Sequence, residues 1–543
     1  MKNIVKQIIC IVVVIAIALF IYYLALPALN IRSIGMWCYI LGISLIFLFV
    51  QTILDELVYK KYTGTKIIGS ITGLVLLIIL IGGLSSWQIF NADKYKNLVT
   101  IEEGNFKEDI NQIQNVENLS IVDMETAERL GDRTVGSIKN SAWFEVDDEY
   151  NLIEYNDQLY RISPLNYGGF FKSQKAKNEG IPGYVLVNTS TQEAKYVELK
   201  NGIKYAPSGY FSYDLKRHLR NNYPSYMFGK SYFEIDEKGN PYYITAVKNP
   251  TIGVFGGVKE EKFIITNASS GENKEYNVEE LPEWLDHAYS LEYLMRASEY
   301  NLKYINGFWN SLTSKTNVTR TTYSFRNYDE ETGENFAGYN TAITKNGEIV
   351  FYTGLTPASN AESNVGFILA NPRTGEIKRY ACAGAEENSA MSSAESLVQD
   401  LKYVATFPTI INVNGEETYF MLLKDKAGLV QRFALCNVEN YSKVVQSSTL
   451  KETIDLYLEK LGNETLNESE EVKNIESTIT NLYQAQIDGS TYYYFTLEGS
   501  DNLYMSSIKN SNKQVTLKVG TKVSIEYIST NETGVFLVKK IIF

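Results

Sequence analysis

Few residues in this chain are the histidines and cysteines that most often serve as catalytic bases, nucleophiles or zinc ligands. The 543 residues include two histidines and four cysteines, which is too few for a multi-histidine or cysteine-rich zinc centre. A serine or cysteine nucleophile needs a neighbouring base, and only His218 and His287 are available, each in a predicted helix. The sequence therefore assigns no catalytic, cofactor-binding or metal-binding residue and favours a non-catalytic protein.

Known catalytic motifs lead to the same expectation. The chain contains no Gly-x-Ser-x-Gly elbow, no His-Glu-x-x-His helix and no phosphate-binding loop of the Gly-x-x-x-x-Gly-Lys type. A glycosidase that uses two carboxylates stays open, because the 63 acidic residues contain many pairs whose separations a sequence does not give.

Two kinds of charged cluster could bind ions. Residues 147–149 and 329–331 are acidic and could supply oxygen ligands to calcium, but neither has the spacing of an EF-hand loop, so we interpret both as solvated turns. Lys216, Arg217 and Arg220 could contact an anionic ligand, either a lipid phosphate or an acidic wall polymer. A solvated helix face is the alternative for this basic cluster.

The four cysteines fall into two pairs. Cys10 and Cys38 lie in apolar runs, where cysteine packs as a small hydrophobic residue. Cys382 and Cys436 lie outside those runs and are candidates for a disulfide, with two free thiols as the alternative.

The formal charge of −12 is unevenly distributed. Residues 1–90 carry +4 and the remainder carries −16. An acidic chain is a poor partner for nucleic acid, so we expect no nucleic-acid binding. The basic segment instead contains the features of a membrane anchor.

Three uncharged apolar runs occur within residues 1–90, at about 8–26, 34–54 and 67–84. Each has about the 20 residues that a helix needs to cross a bilayer, so membrane lipid is an expected partner. Lysines flank the first run and separate the second from the third, which predicts a cytoplasmic N-terminus and an extracytoplasmic location for residues after about 87. A cleaved signal peptide is the alternative for the first run, and Pro27 disfavours it. Gly69 and Gly73 have the GxxxG spacing of a helix contact.

The region after the anchor contains a repeated hairpin pattern. Residues 184–196, 263–276 and 367–380 each have a short apolar run, Asn, two variable residues, Ser or Thr, a turn residue and Glu, and residues 433–445 are a degenerate copy. Asn and Gly tolerate the left-handed backbone of such turns. Each copy follows another predicted strand pair and precedes a predicted helix.

We therefore predict a membrane-anchored α+β protein: three transmembrane helices, repeated four-strand-plus-helix units and a small C-terminal β-barrel. Capping boxes at Asn277/Glu280, Ser392/Glu395 and Thr449/Glu452 predict three helix starts. The predicted boundaries are an anchor at 1–90, a connecting segment at 91–143, α+β units at 144–232, 233–340, 341–408 and 409–461, a linker at 462–471 and the barrel at 472–543.

The barrel prediction depends on five alternating strands within about 70 residues of the C-terminus, at 475–487, 491–497, 503–508, 522–527 and 535–542. With the turn Val519-Gly520-Thr521-Lys522-Val523, these strands are similar to an OB-type barrel. Alternation places Tyr493 on the opposite face from Tyr492 and Tyr494, any of which could stack on a ligand.

Two resemblances follow from these residues. The strand–Asn/Asp–x–x–Thr–Gly–Glu–strand hairpin resembles that of PepSY-type domains, which are extracytoplasmic modules of membrane proteins and protease pro-segments. A broader likeness, to a largely uncharacterised family of membrane proteins from Gram-positive bacteria, implies the architecture and no activity. It covers most of the chain and is carried by residues 91–95, 217–228, 249–257, 306–310 and 389–395.

Three functions are compatible with these features. The favoured hypothesis is a non-catalytic cell-envelope protein whose β-rich region is an interaction or scaffold module for an envelope protein or the cell wall. The second is an extracytoplasmic sensor or regulator whose PepSY-like units bind a protease, a wall fragment or a small ligand. The third is an envelope hydrolase that uses a carboxylate pair.

Overall fold

The computed structural model describes residues 2–113, 119–136, 140–328, 335–358, 363–461, 473–487, 490–500, 502–529 and 534–543. The chain divides into two compact units, Met1–Gly462 and Asn463–Phe543. The linker predicted at 462–471 lies outside the described residues.

Three long apolar helices begin the first unit: α1 (Lys2–Ala25), α2 (Ile34–Leu54) and α3 (Thr63–Ser85). All three are long and apolar enough to cross a membrane, as the sequence predicts. A π-helical turn, Asp55–Tyr59, continues α2, so the second candidate span is longer than predicted and includes two acidic residues, Asp55 and Glu56.

Polar side chains join the three helices at the end where α2 meets α3. The Asp55 carboxylate accepts hydrogen bonds from Gln51 Nε2 at 2.8 Å, Thr65 N at 2.8 Å and Thr65 Oγ1 at 3.0 Å. Gln7 of α1 donates to Gln51 Oε1 at 2.9 Å. Asp55 therefore satisfies a backbone amide in the first turn of α3, where the helix dipole favours a negative charge.

The predicted connecting segment contributes elements to the β-rich region. The elements that overlap it are α4 (Gln88–Lys96), which begins three residues before the predicted boundary, β1 (Ile101–Glu103), α5 (Phe106–Asp109) and α6 (Met124–Val135). Strand β1 pairs in parallel with the strand Ile377–Ala385 of the third sheet. Ala127 and Val135 of α6 lie in the core of the first sheet.

Four predominantly antiparallel sheets follow in chain order. Sheet I contains β2 (Phe144–Val146), β3 (Asn151–Tyr155), β4 (Gln158–Tyr167), β5 (Ile181–Asn188) and β6 (Ala194–Ile203). Sheet II contains β7 (Met227–Ile235), β8 (Pro241–Ile252), β9 (Gly256–Asn267) and β10 (Asn273–Tyr276).

Sheet III contains β1 with β11 (Thr319–Thr321), β14 (Asn340–Ile343), β15 (Ile349–Pro357), β16 (Ser363–Ala370) and β17 (Ile377–Ala385). A separate hairpin is formed by β12 (Tyr323–Tyr328) and β13 (Asn335–Ala337). Sheet IV contains β18 (Val404–Ala405), β19 (Thr409–Val413), β20 (Glu416–Lys424), β21 (Val430–Asn437) and β22 (Val444–Ser447).

The helices between these strands are α7 (Phe170–Ala176), α8 (Leu215–Asn222), α9 (Leu291–Lys303), α10 (Gly307–Leu312), α11 (Glu387–Ser396) and α12 (Leu450–Leu461). Asn277 and Glu280 form the predicted capping box, but it begins only a single 3-10 turn. The box at Ser392 is wrong, because α11 begins at Glu387 and the Ser392 hydroxyl donates to Asn388 O inside the helix. Thr449 Oγ1 accepts from Glu452 N at the start of α12, as predicted.

The repeated Asn begins a similar turn in each sheet. The side-chain oxygens of Asn188, Asn267 and Asn371 each accept from the amides two and three residues ahead, and Asn437 accepts from Asn440 N. Such Asx turns reverse the chain without a regular hairpin loop. Four residues after the Asn, Gln192 has a positive φ, as do Gly271 and Gly375 at the equivalent positions.

The sheets pack against one another in chain order. Neighbouring residues of a strand point to opposite faces of its sheet, so an inner sheet can bury one face against the sheet before it and the other against the sheet after it. Tyr243 of β8 lies in the core shared with sheet I, and the next residue, Ile244, lies in the core shared with sheet III. Likewise, Phe351 of β15 faces sheet II while Tyr352 faces sheet IV. Sheets II and III are therefore buried on both faces, which explains their nearly continuous apolar strands.

Residues 119–135 connect sheet IV back to sheet I. Lys424 of β20 pairs with Asp123 at 2.8 Å and also contacts Glu125. Arg161 of β4 donates to Val122 O at 3.2 Å. This segment therefore contacts the first and last sheets of the β-rich region (residues 101–461).

The second unit is the small barrel that the sequence predicts. Its five strands are β23 (Lys473–Ile487), β24 (Ser490–Leu497), β25 (Leu503–Ser507), β26 (Lys522–Ser529) and β27 (Val535–Ile542). They close in the order β23-β24-β25-β27-β26, with β25 and β27 parallel. Tyr493 is buried in the barrel core, whereas Tyr492 and Tyr494 are half-buried.

The barrel can be tested with one substitution at two positions. Ile525 is 1% exposed and Ile542 is 53% exposed. In the unit 463–543 expressed alone, Ile525→Val should lower the free energy of unfolding by about 0.5–1.5 kcal/mol, measured by urea denaturation. Ile542→Val should change it by less than about 0.5 kcal/mol. Equal effects at both positions, or no cooperative transition, would contradict the closed barrel.

Candidate functional site

The predicted basic cluster lies on α8, where it contacts the end of α1. Arg220 is 4% exposed, and its Nε donates to Leu26 O at 3.1 Å. Its Nη1 lies within hydrogen-bonding distance of three further carbonyls, at 3.2, 3.1 and 2.5 Å: those of Tyr223, Pro224 and Tyr226. The buried guanidinium therefore joins the end of α1 to the segment that follows α8.

The other two members of the cluster have different surroundings. The Arg217 guanidinium lies 3.9 Å from the centre of the Tyr23 ring and donates to Tyr23 O at 2.7 Å. Lys216 is exposed. The three residues thus do not form one exposed basic patch, and anion binding stays a prediction for Lys216 and the accessible edge of Arg217.

The chain bends sharply where α1 ends. Leu26 has a φ of +48°, a left-handed conformation that costs a residue with a side chain roughly 1–2 kcal/mol. Its carbonyl is the acceptor for Arg220. Beyond the bend, Leu29 N donates to Pro224 O at 2.8 Å, and Arg32 Nη1 donates to Pro250 O at 2.7 Å. These contacts connect the α1–α2 loop to the β-rich region.

The end of α3 contacts the turn between β8 and β9. Ser86 Oγ accepts from Val254 N at 3.1 Å and from Phe255 N at 2.8 Å. A methyl group on Gly82 would overlap the Phe255 ring, and Gly253, with a φ of +60°, lies against the Ser85 backbone. Glycine is required at position 253 because its backbone is left-handed and approaches the end of the helix so closely, whereas a side chain at position 82 would have to displace the Phe255 ring.

Helix α4, which follows α3, packs against α9. Tyr304 Oη donates to Gln88 Oε1 at 2.6 Å, and Lys96 Nζ donates to Ile305 O at 3.0 Å. Tyr95 Oη donates to Ser86 O at 2.7 Å. Together with the contacts of α1 and of the loop before α2, these define the helix-end interface: the contacts of residues 23–32 and 82–96 with residues 217–226, 250–256 and 300–305.

The predicted glycine contact motif has a limited role. A methyl group on Gly69 would lie 3.7 Å from Leu48 of α2, an ordinary packing distance. A methyl group on Gly73 would have no described atom within 4 Å. The tight glycine between α2 and α3 is Gly64, which the Gln51 side chain covers.

The predicted disulfide is absent. Cys382 and Cys436 are both free and buried, although both lie in the core between sheets III and IV. The Cys436 thiol lies 3.7 Å from the carbonyl oxygens of Asn437 and Tyr441. Burial raises the pKa of each thiol to about 12, which disfavours the thiolate that disulfide exchange requires.

Both histidines make hydrogen bonds within the protein. His218 Nε2 lies 2.8 Å from Gly271 O and 3.1 Å from Asn273 Nδ2. His287 Nδ1 lies 2.8 Å from Glu234 Oε1, which also accepts from His287 N. Glu234 is fully buried, so this pair is inaccessible to a substrate.

Buried and half-buried carboxyl groups are the remaining candidates for catalysis. Asp286 Oδ2 accepts from Glu154 N at 2.8 Å, and burial with Glu234 nearby raises the pKa of Asp286 to about 8. A carboxyl that is protonated at neutral pH can act as a general acid, but the neighbouring Glu234 carboxylate is sealed in the core. Glu387, bonded to Tyr352 Oη at 2.5 Å, is fully buried as well. The geometry does not present two carboxylates to a substrate here.

The acidic loops give no metal site among the described residues, which contain no cluster of three or more metal-ligating side chains. Asp147 accepts from Glu149 N at 3.0 Å and from Asn166 Nδ2 at 2.7 Å, as expected of a turn. Residues 329–331 lie outside the described residues.

An open groove of about 450 Å³ lies beside sheet IV. It is lined by Leu397, Val445, Gln446, Leu456, Glu459 and Lys460. Leu397, Leu401 and Val404, at the end of α11 and beyond it, have exposed fractions of 45%, 47% and 45%. The groove lining thus combines apolar side chains with the charged residues Glu459 and Lys460.

Comparisons with known proteins add little to this description. No protein-family model matches the chain, and no curated protein does. One similar solved structure is an exo-β-1,3-galactanase from Clostridium thermocellum, with 10% identity, a TM-score of 0.19 and coverage of 74% of each chain. Another is an exo-1,5-α-L-arabinanase from a bovine ruminal metagenomic library, with 8% identity, a TM-score of 0.17 and coverage of 71% of this chain and 94% of that one. Similarity this low carries no functional argument.

Arg220 provides a test of the helix-end interface, with Lys216 on the same helix as the control. Arg220→Met keeps most of the side-chain volume. It removes the N–H donors to the carbonyl oxygens of Leu26, Tyr223, Pro224 and Tyr226. An unsatisfied buried carbonyl costs about 1–3 kcal/mol, so the variant should show a lower thermal midpoint in detergent. Lys216→Met should not, because Lys216 is exposed. Equal midpoints for the two variants would contradict the role assigned to Arg220.

The two buried thiols provide a second test. We expect iodoacetamide at pH 8 to leave Cys382 and Cys436 unmodified in the native protein, because burial keeps both protonated. After denaturation without reductant, both should be alkylated, as measured by peptide mass spectrometry. Recovery of a peptide pair linked through these cysteines would show that the disulfide exists.

Proposed function

We propose that this is a non-catalytic membrane protein of the cell envelope, whose β-rich region is a scaffold that binds another envelope component. The observation that carries the proposal is the open groove beside sheet IV. Leu397 lines the groove, and two further exposed apolar residues, Leu401 and Val404, follow it within seven positions of the chain, whereas exposed apolar residues on an ordinary surface are scattered singly. Clusters of this kind are typical of protein–protein interaction sites.

The helix-end interface supports a scaffold role. Because Arg220, Ser86 and Gln88 each join a helix end to the β-rich region, the groove has a fixed position relative to the spans. A binding surface held in this way loses little orientational entropy when a second membrane-bound protein docks.

The orientation, repeats and barrel type belong to the same proposal. The lysines beside the first span and between the second and third favour a cytoplasmic N-terminus, which would place the β-rich region outside the cell. The Asx turns at Asn188, Asn267, Asn371 and Asn437 support four related four-strand-plus-helix units. The strand order of the barrel, with its parallel β25–β27 pair, supports an OB-like fold.

A sensor or regulator is the second candidate, and the helix-end interface favours it too. A ligand that shifts the sheets would move the β8–β9 turn, whose amides bond to Ser86 at the end of α3. That turn provides a physical path from a ligand-binding surface to the spans. The sensor function requires a ligand that alters these contacts, whereas the scaffold function does not.

Site-specific photocrosslinking in cells tests the scaffold proposal. A crosslinking residue at Val404 should capture one defined partner, and Leu401→Asp should abolish this adduct because it places a charge in the apolar contact. The matched control position is Phe171 of α7, which is 79% exposed and lies beside sheet I rather than sheet IV. The proposal fails if Val404 gives no adduct, or if the Leu401→Asp protein gives the same adduct at full yield.

A further inference from the structure

A second exposed apolar surface lies at the end of α3, away from the groove residues in sequence. Its members are one residue just after α3, one on α4 and two on α10, with exposed fractions of 52%, 70%, 67% and 54%: Trp87, Phe90, Trp309 and Leu312. We call these four residues the aromatic patch. The two from α10 are more than 200 positions from the two that follow α3, so folding brings the patch together.

Contacts in the described structure hold α10 beside α4. Tyr304, just before α10, bonds to Gln88 of α4, and Lys96 bonds to Ile305 O. Phe308 packs on the core formed by Ala92 and Tyr304. With Phe308 anchored in this way, the next side chain, Trp309, projects from the surface with its ring 5.5 Å from that of Phe308. Trp87 and Phe90 likewise contact each other edge to face, 6.0 Å apart.

The aromatic patch continues the exposed apolar surface of α3. Four residues in the last three turns of α3 are between 50% and 62% exposed: Leu77, Leu80, Ile81 and Leu84. Trp87 follows this row directly, and α10, which is Gly-Phe-Trp-Asn-Ser-Leu, contains no charged residue. A candidate membrane span is therefore followed, without an intervening charge, by an exposed aromatic surface.

Tryptophan is enriched where a bilayer meets water, because its ring is apolar and its N–H can still find a polar partner. We infer that the aromatic patch is inserted into the lipid headgroup region, so that α10 forms a membrane contact of the β-rich region in addition to the three spans. Lipid is favoured over a protein partner because the patch is continuous with α3. This inference does not depend on the scaffold or sensor function.

The experiment uses the full chain in phospholipid nanodiscs. Cys10 and Cys38 are replaced by serine, the buried Cys382 and Cys436 are kept, and a nitroxide is attached at Leu312→Cys or, as control, at Tyr441→Cys. Tyr441 is 55% exposed in the turn between β21 and β22. Power-saturation electron paramagnetic resonance then compares the accessibility of each label to oxygen, which partitions into lipid, and to a water-soluble nickel chelate.

We expect the ratio of oxygen to nickel accessibility to be higher at position 312 than at position 441. Equal ratios would place α10 in water, and a label at 312 inaccessible to both reagents would mean that protein covers the patch; either result overturns the inference. A label-free measurement guards against disruption by the nitroxide. Brominated phospholipids should quench the fluorescence of the unlabelled chain more than that of its Trp309→Phe variant, and equal fractional quenching would again overturn the inference.

Discussion

The polar backbone groups at the ends of three apolar helices need hydrogen-bond partners, and the rest of this structure depends on how they are satisfied. The last carbonyls of a helix lack partners within it. At the end of α1, the left-handed Leu26 turns its carbonyl toward Arg220. A guanidinium suits this position because its several N–H donors can serve carbonyls from two segments at once. Removing it would take from the Leu26 and Tyr226 carbonyls the donor that they have here.

The same constraint explains why the β-rich region contacts the ends of all three helices. Ser86, just beyond α3, accepts two amides of the β8–β9 turn, and the loop before α2 donates to Pro224 and Pro250 through Leu29 and Arg32. Strands β8 and β9 belong to sheet II, which is buried on both faces. Any displacement of the helix ends would therefore have to move a packed core, which resists small deformations.

Local signals in the sequence predicted the elements well. Three uncharged runs predicted the spans, and alternating residues predicted the barrel strands. The repeated Asn predicted turns, and in the structure its side-chain oxygen accepts hydrogen bonds from backbone amides of those turns. Long-range contacts were not predictable. Nothing in the residues around Arg220 indicates that its partner is Leu26, 194 positions away. The capping box at Ser392 failed because a local match to the pattern does not fix where a helix packed on sheet strands begins.

Hydrogen exchange at three amides tests most directly whether the helix ends and the β-rich region form one body. Leu29 N bonds to Pro224 O, and Val254 N and Phe255 N bond to Ser86 Oγ, so each bond joins the two regions. In the intact protein in nanodiscs, these amides should exchange as slowly as those of the adjoining strands. Exchange at the rate of an unstructured peptide, with β8 still protected, would contradict the account, because the β-rich region would then be attached only by a flexible connection.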